Sequence, residues 1–180
     1  VAVIGEGVKN IGINTFVNTT LETLIIDGKP TMDDYSIGGS VSGKNAGTVY
    51  CSDETFFDEV KNNGKKVPPT QMAVAYLDGG TFSDGATFSA GVLAEPVREG
   101  YTFDGWYTDS EPSEKAEDNK IVFDKYGSIA NDYVAKWVKE ASNNNSVAIE
   151  NETGDESGSG GPVGPSNTED PGVTTEPSTS

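Results

Sequence analysis

Histidine is absent from this chain, and cysteine occurs once, at Cys51. The lack of histidine removes the commonest general base and the commonest ligand of transition metals. A single cysteine cannot close an internal disulfide, so packing has to stabilise the fold. Cys51 lies in a short apolar run, which favours a buried structural thiol over a nucleophile. We therefore expect no catalytic residue.

Long apolar runs are missing as well. No segment approaches the roughly 18 consecutive apolar residues that cross a bilayer. The start, Val1-Ala2-Val3-Ile4, has neither an initiating Met nor the basic flank of a signal peptide. Because the chain begins inside an apolar strand pattern, we interpret it as part of a longer protein. We expect no membrane insertion of this part.

Basic residues are scarce. Lys and Arg number 12 against 29 Asp and Glu, which gives a net charge of −17. Such a surface repels nucleic-acid phosphates and anionic membranes, which excludes both as partners. Acidic pairs such as Asp33-Asp34 and Asp58-Glu59 lack the alternating carboxylates of a calcium loop. We expect a solvated acidic surface that holds neither a metal nor a cofactor.

Three short apolar runs recur about every 23 residues, within the 20–29-residue period of leucine-rich repeats. They are Val1–Ile4, Leu24–Ile26 and Thr48–Cys51. The spacing predicts stacked parallel strands of a solenoid over residues 1–66. The segment Ile4-Gly5-Glu6-Gly7-Val8-Lys9-Asn10-Ile11-Gly12, followed by Phe16 and Leu21, resembles the BspA-type leucine-rich repeat of surface proteins. From Gly28 to Gly47 the pattern is irregular, as is common in a terminal repeat.

Residues 52–63 are predicted to form a helix that caps the last strand of the solenoid. Ser52 or Asp53 can cap its N-terminus, and Gly64 can end it. Its apolar side chains would share one face: Phe56, Phe57 and Val60. The following segment, residues 67–70, contains consecutive prolines, which exclude a helix and favour a stiff linker.

Aromatic residues are concentrated in Gly100-Tyr101-Thr102-Phe103-Asp104-Gly105-Trp106-Tyr107, where alternation predicts a half-buried strand that bends at Gly105. This stretch, together with Gly79-Gly80, the Gly91–Pro96 segment and Ala135-Lys136-Trp137, resembles the Listeria–Bacteroides repeat, which is related to the B repeat of internalins. The resemblance implies a small β-grasp-like module at residues 71–138, found in bacterial surface proteins and without catalytic residues. One departure is Asn131–Val134, which replaces the commoner Thr-Leu-Tyr pattern.

Within this module we expect five strands, with Gly, Asp and Pro at the turns between them. They are Ala73–Leu77, Thr87–Ala94, Tyr101–Tyr107, Lys120–Phe123 and Tyr133–Val138. The polar segment 109–119 is predicted to be a surface loop or a short helix. Trp106, Tyr107 and Trp137 either form a sugar-stacking platform or pack in the core. The resemblance favours the core, because it depends on the same aromatic residues.

The C-terminal part, residues 139–180, is rich in Ser, Thr, Gly and Pro, and from residue 141 it has no Lys, Arg or aromatic residue. Such a segment cannot bury enough apolar surface to offset its chain entropy. We predict a disordered acidic stalk. The predicted fold is therefore mixed α+β: a terminal leucine-rich repeat solenoid with a capping helix, a small β-grasp-like domain and a disordered tail.

One face of the predicted solenoid sheet is a candidate binding surface. If Ala2, Leu24 and Val49 point into the core, strand alternation points their neighbours outward in register. The outward set is Val3, Ile25 and Tyr50, with Thr23 and Thr48 nearby. This apolar ladder could bind a protein ligand, or it could be covered by a neighbour that is missing from this chain or simply be exposed.

We hypothesise a non-catalytic, monomeric region of an extracellular protein at the bacterial cell surface or cell wall. Its repeats would serve adhesion or recognition of a protein or glycan on a host or neighbouring cell. Two alternatives remain: a structural spacer that presents binding repeats elsewhere in a longer chain, and an accessory region of a secreted enzyme.

Overall fold

The structure is a computed structural model that describes residues 1–16, 19, 21–37, 47–62 and 72–141. Its strands are β1 (Ala2–Ile4), β2 (Asn10–Ile11), β3 (Thr23–Ile26), β4 (Thr31–Met32), β5 (Gly47–Cys51), β6 (Met72–Tyr76), β7 (Tyr101–Thr108) and β8 (Tyr133–Lys139). The α-helix α1 spans Glu54–Lys61, and a short 3₁₀ helix spans Glu117–Asn119. The expected mixture of strands and helix is confirmed.

Six strands form one sheet in the order β1-β3-β5-β6-β8-β7. Each neighbouring pair is parallel except β7 and β8, which are antiparallel. The three apolar runs pair in register as predicted, so that Val3, Ile25, Tyr50 and Ala75 form one row across four strands. Since parallel sheets require cover on both faces, apolar residues line both sides of this sheet.

The first core lies on the face to which Leu24, Ile26, Val49 and Cys51 point. Strand alternation places these side chains on one side of the sheet. They pack against Ile11 and Met32 of the small parallel β2–β4 sheet and against the apolar face of α1: Phe56, Phe57 and Val60. Along the chain, β1 and β3 lie in the larger sheet, and β2 and β4, which alternate with them, lie in the smaller one.

Helix α1 begins and packs largely as the sequence predicts. Asp53 is its N-cap, and the Asp53 carboxylate accepts a hydrogen bond of 2.7 Å from the backbone N–H of Phe56. Its three predicted apolar residues are buried. The helix contacts both β5 and β6. It therefore crosses between two adjacent strands, and β5, predicted to be the last strand of the stack, is an interior strand paired with β6 over five residues.

The second core lies on the opposite face of the sheet. Tyr50, Ala73 and Ala75 point to this side and are covered by Leu93, Trp106, Tyr133 and their neighbours. The predicted bend at Gly105 is confirmed: the register of β7 against β8 shifts between Phe103 and Gly105. This β-bulge keeps Trp106 directed into the core, where it is fully buried.

Three of the five strands predicted for residues 71–138 are present, as β6, β7 and β8. Two predictions are wrong. Residues 87–94 contain only isolated bridges around a turn at Gly91, and residues 120–123 likewise contain isolated bridges. The backbone turns at Gly91, where φ is +77°, and the two segments meet through backbone hydrogen bonds from Leu93 to Asn119 and from Ile121 to Gly91. The N–H groups of Ala94 and Val122 bond instead to the hydroxyls of Tyr50 and Tyr133.

The described residues from 1 to 141 belong to one compact unit, in which β5 pairs with β6, the strand that follows the predicted linker in sequence. The linker at 67–70 lies outside the described residues, as does the predicted stalk beyond residue 141. The division into domains at 1–66, 67–70, 71–138 and 139–180 stays a prediction. In the part of the chain that is described, no helix is long and apolar enough to cross a bilayer.

Candidate functional site

The five residues predicted to form an exposed binding ladder lie on the expected face, but only Val3 is exposed. Its side chain is 60% exposed, against 8% for Ile25 and 1% for Tyr50. Thr23 and Thr48 are buried as well. The ladder is covered because residues from the segment 77–94 and from β7 and β8 pack onto it. The cover expected from the sequence was a missing neighbour; in the structure the covering residues belong to the same chain.

Tyr50 is the residue through which the cover is attached to the ladder. The backbone N–H of Ala94 donates a 2.8 Å hydrogen bond to the Tyr50 hydroxyl. The Tyr50 ring lies edge-on to Phe82, with 4.8 Å between centroids, and 5.9 Å from Trp106. Burial raises the pKa of Tyr50 to about 12, so the hydroxyl stays protonated at neutral pH. Tyr50 is thus a packing residue. Of the five residues predicted for binding, Val3 and Ile25 still line a cavity.

A cavity of about 310 Å³ remains between the uncovered end of the ladder and the covering segment. We call it the open-face cavity. Its apolar lining comes from β1 and the residue before it, from β3, and from the segment that follows β6: Val1, Val3, Ile25, Leu77, Phe82 and Phe88. Two carboxylates, Asp27 and Asp84, also line it. The cavity therefore combines two residues predicted for binding with residues that the sequence analysis did not select.

The lip of the cavity, meaning its rim, is the loop of residues 81–88, which is held by contacts at its base and along both arms. Reciprocal backbone hydrogen bonds of 2.9 and 2.7 Å between Thr81 and Val97 hold its base. At its tip Gly85 has a φ of +84°, a left-handed conformation that favours glycine. Phe82 and Phe88, 5.0 Å apart in an edge-to-face contact, fix both arms of the loop against Tyr50. The cavity wall is consequently preformed.

The two carboxylates of the cavity have no cationic partner among the described residues. Asp27 follows β3, and burial together with the negative charge of Glu6 raises the pKa of its carboxyl. Asp84 is exposed at the lip. The salt bridges among the described residues involve other acids: Asp58, Asp78, Asp104, Asp109 and Asp118. The open-face cavity is therefore apolar with a negative border.

The three aromatic residues considered for a sugar platform are not brought together. Trp106 is buried, and its indole N–H donates to the carbonyl oxygen of Ala94. Tyr107, the next residue along the strand, hydrogen-bonds to Asp104 at the surface. Trp137 is half-buried beside Phe103 and Arg98. The core interpretation of Trp106 is confirmed.

Cys51 is fully buried in the first core. Burial, with the nearby carboxylates of Asp132 and Asp53, raises the pKa of its thiol far above neutral pH. Within the described residues, no group of three or more metal-ligating side chains lies close enough to hold a metal ion. We take the open-face cavity as the candidate site for contact with a ligand, because two of the residues predicted for binding, Val3 and Ile25, line it.

Sequence reasoning found Val3 and Ile25 from strand alternation but missed Phe82, Asp84 and Phe88. Those residues lie in a loop, which has no periodicity to mark its direction. One signal was present: two phenylalanines flank Asp84-Gly85, an arrangement typical of a turn whose arms are anchored by packing.

These observations define a mixed α+β unit built on a mainly parallel sheet, with a cavity on one face. The family model of the Listeria–Bacteroides repeat domain matches residues 55–127. The match begins inside α1 and ends before β8, so it contains three of the four quoted motifs and excludes Ala135-Lys136-Trp137. This repeat is typical of bacterial surface proteins, which is consistent with a surface-associated role. No curated protein and no solved structure matched the chain.

Proposed function

We propose that this chain is a non-catalytic recognition region of a bacterial surface protein, and that the open-face cavity contacts the ligand. The observation that carries the proposal is that the parallel strands and the matched repeat jointly build one preformed cavity. The fully buried Cys51 and the histidine-free sequence support a role without catalysis.

We further propose that the strands up to β5 are leucine-rich repeats at the end of a solenoid. Paired residues recur after 22 residues, from Ala2 to Leu24, and after 25 residues, from Leu24 to Val49. A second parallel ladder supports the same repeat, since the amide of Asn10 donates a 2.9 Å hydrogen bond to the hydroxyl of Thr31, 21 residues later. Such solenoids stack one structural unit per repeat.

The test is binding of the full 180-residue chain to a panel of extracellular matrix proteins, mucin and surface glycans. Val3→Asp places a carboxylate on the apolar wall without opening a cavity in the core. We expect it to weaken binding by about tenfold or more, because a charge has to be desolvated. Val138→Asp is the matched control: Val138 is 57% exposed on β8, outside the cavity lining, and its replacement adds the same charge.

A second candidate function, a structural spacer, is favoured by the continuous sheet that joins the first strands to the matched repeat. A spacer needs rigidity and no ligand. If no member of the panel binds the chain, or if both aspartate variants bind as well as the original chain does, the spacer function replaces recognition by the cavity.

A further inference from the structure

We infer that the side chains of Lys61 and Asp109 form a covalent amide bond with each other, which cross-links the end of α1 to the end of β7. This modification goes beyond the proposed recognition function and does not depend on it. The chain would carry it out once, on its own side chains and without an external reagent. The contact between the two groups, their shielding from water and a neighbouring carboxyl group support it.

The fold brings the amine and the carboxyl group together. The Lys61 ammonium lies 2.5 Å from a carboxylate oxygen of Asp109, although the two residues are 48 positions apart in sequence. The carboxyl carbon that the amine attacks is one bond beyond that oxygen, close to the separation of roughly 3–3.5 Å in a near-attack geometry. Groups held in this way reach effective concentrations on the order of 10⁵–10⁸ M. Such proximity favours a condensation that free amines and acids undergo poorly in water.

The pair is partly shielded from solvent. The Lys61 side chain is 20% exposed and that of Asp109 is 31% exposed. A second lysine pair in the same chain, Lys115 with Asp104, is more open, at 50% and 39%. The ring of Phe57 also covers the Lys61 ammonium, with 4.7 Å between the nitrogen and the ring centroid. Exclusion of water favours the amide, because it weakens the solvation of both charges and hinders hydrolysis of the product.

Asp132 supplies a carboxyl group that can carry a proton beside the pair. The backbone N–H of Asp109 donates a 2.8 Å hydrogen bond to the carbonyl oxygen of Asp132, which holds the two residues together. The N–H of Val74 donates a 3.0 Å hydrogen bond to Oδ1 of Asp132 and positions the carboxylate. Burial, followed by the negative charge of Asp109, raises the pKa of the Asp132 carboxyl. A raised pKa suits a group that takes up and releases a proton near neutral pH.

The reaction balances within these residues. Partial burial lowers the pKa of Lys61, but hydrogen bonds to Asp109 and Asp58 raise it by more, so the amine starts as an ammonium. One proton passes through Asp132 to the carboxylate of Asp109, and the neutral Nζ attacks Cγ. The Nζ–Cγ bond forms, a second Nζ proton moves to the departing oxygen, and the Cγ–O bond breaks. An ammonium and a carboxylate thus become one amide and one water, and nothing is oxidised or reduced.

Mass spectrometry of the full chain tests the inference. After incubation of the folded chain at neutral pH, we expect an intact mass lower than the sequence mass by one water. Tryptic digestion should leave the bond after Lys61 uncut and yield a branched peptide that joins Lys61 to Asp109. Asp109→Asn should lose one ammonia in place of water, because its side-chain nitrogen departs. Lys61→Arg and Asp109→Ala should keep their full masses.

Further variants test the proton carrier. Asp132→Asn keeps an acceptor for the N–H of Val74 but cannot carry the proton, and it should slow the loss of water by about a hundredfold. Glu111→Gln is the control: it removes one negative charge from an exposed residue near Asp109 in sequence, and the rate should not change. Circular dichroism checks that each variant is folded.

An unchanged sequence mass of the original chain overturns the inference. A loss of water that persists in Lys61→Arg also overturns it, since a succinimide at an Asp-Gly sequence such as Asp84-Gly85 loses the same mass. A cross-link that maps to Lys115 and Asp104 contradicts the argument from shielding and overturns it as well. Equal rates in Asp132→Asn and the original chain would overturn the proton transfer through Asp132.

Discussion

Tyr50 shows how one side chain can join two parts of a chain. It belongs to the repeated strand pattern, yet its hydroxyl and ring contact Ala94, Phe82 and Trp106 in the covering segment and in β7. The hydrogen bond spans 44 residues of sequence. Because both partners are buried, removing the hydroxyl leaves the N–H of Ala94 without its acceptor.

Tyr50→Phe is therefore expected to lower the free energy of unfolding by about 1–3 kcal/mol, the usual cost of a buried unpaired donor. Urea denaturation followed by tryptophan fluorescence measures the change. Tyr126→Phe is the control, since Tyr126 is 81% exposed and its replacement should leave the midpoint unchanged. Equal stability of the two variants would mean that Ala94 finds another partner.

At the scale of single elements, α1 shows the value of local sequence signals. An N-cap at Ser52 or Asp53 and three apolar residues on one face were predicted from adjacent residues alone, and the helix lies where they indicate, with Asp53 as the N-cap. The helix connects two paired strands because β6, which follows it in sequence, pairs with β5. The sequence of the helix itself does not predict that pairing.

The N-cap gives a direct test. Asp53→Ala should destabilise the protein by about 1 kcal/mol, within the 0.5–2 kcal/mol range of lost caps, because the N–H of Phe56 loses its acceptor. Asp53→Asn keeps an acceptor at the same position and should retain most of the stability. Thermal unfolding followed by circular dichroism compares the two. A loss of similar size in both variants would assign the effect to the charge of Asp53 rather than to the hydrogen bond.

Strands with a clear apolar pattern were predictable, and segments held by distant side chains were not. β7 and β8 follow the two-residue period and the aromatic motif, and β6 is a continuous apolar run. Residues 87–94 have apolar character too, but the backbone of Ala94 bonds to Tyr50 and Trp106, which lie 44 and 12 residues away. The same distinction applies to the candidate site. The positions of Val3 and Ile25 were predictable from strand alternation. The position of Asp84 was not, because it depends on the packing of the phenylalanines of its loop on Tyr50.

At the scale of the whole molecule, two cores share one sheet. The first core lies on one face and the second on the other, and the row from Val3 to Ala75 belongs to strands that contribute to both. A substitution that destabilises one core should therefore also destabilise the other, because the same strands contribute to both. Separate domains joined by a linker would unfold independently.

Leu24→Ala tests this coupling. Leu24 is fully buried in the first core, and its truncation should cost about 2–5 kcal/mol. Both tryptophans, Trp106 and Trp137, pack in or against the second core. We expect the urea midpoint measured by tryptophan fluorescence to fall together with the midpoint from circular dichroism. A fluorescence midpoint unchanged by the substitution would support two independent domains, as the sequence predicted.

The parallel pairing of β1, β3, β5, β6 and β8 also sets how the unit bears mechanical load. In parallel strands the start of the first and the end of the last lie at opposite ends of the sheet. Tension applied at Val1 and Glu140 therefore has a component along the strand axes. The interstrand hydrogen bonds are loaded together in shear rather than opened one at a time, which is the geometry that resists extension.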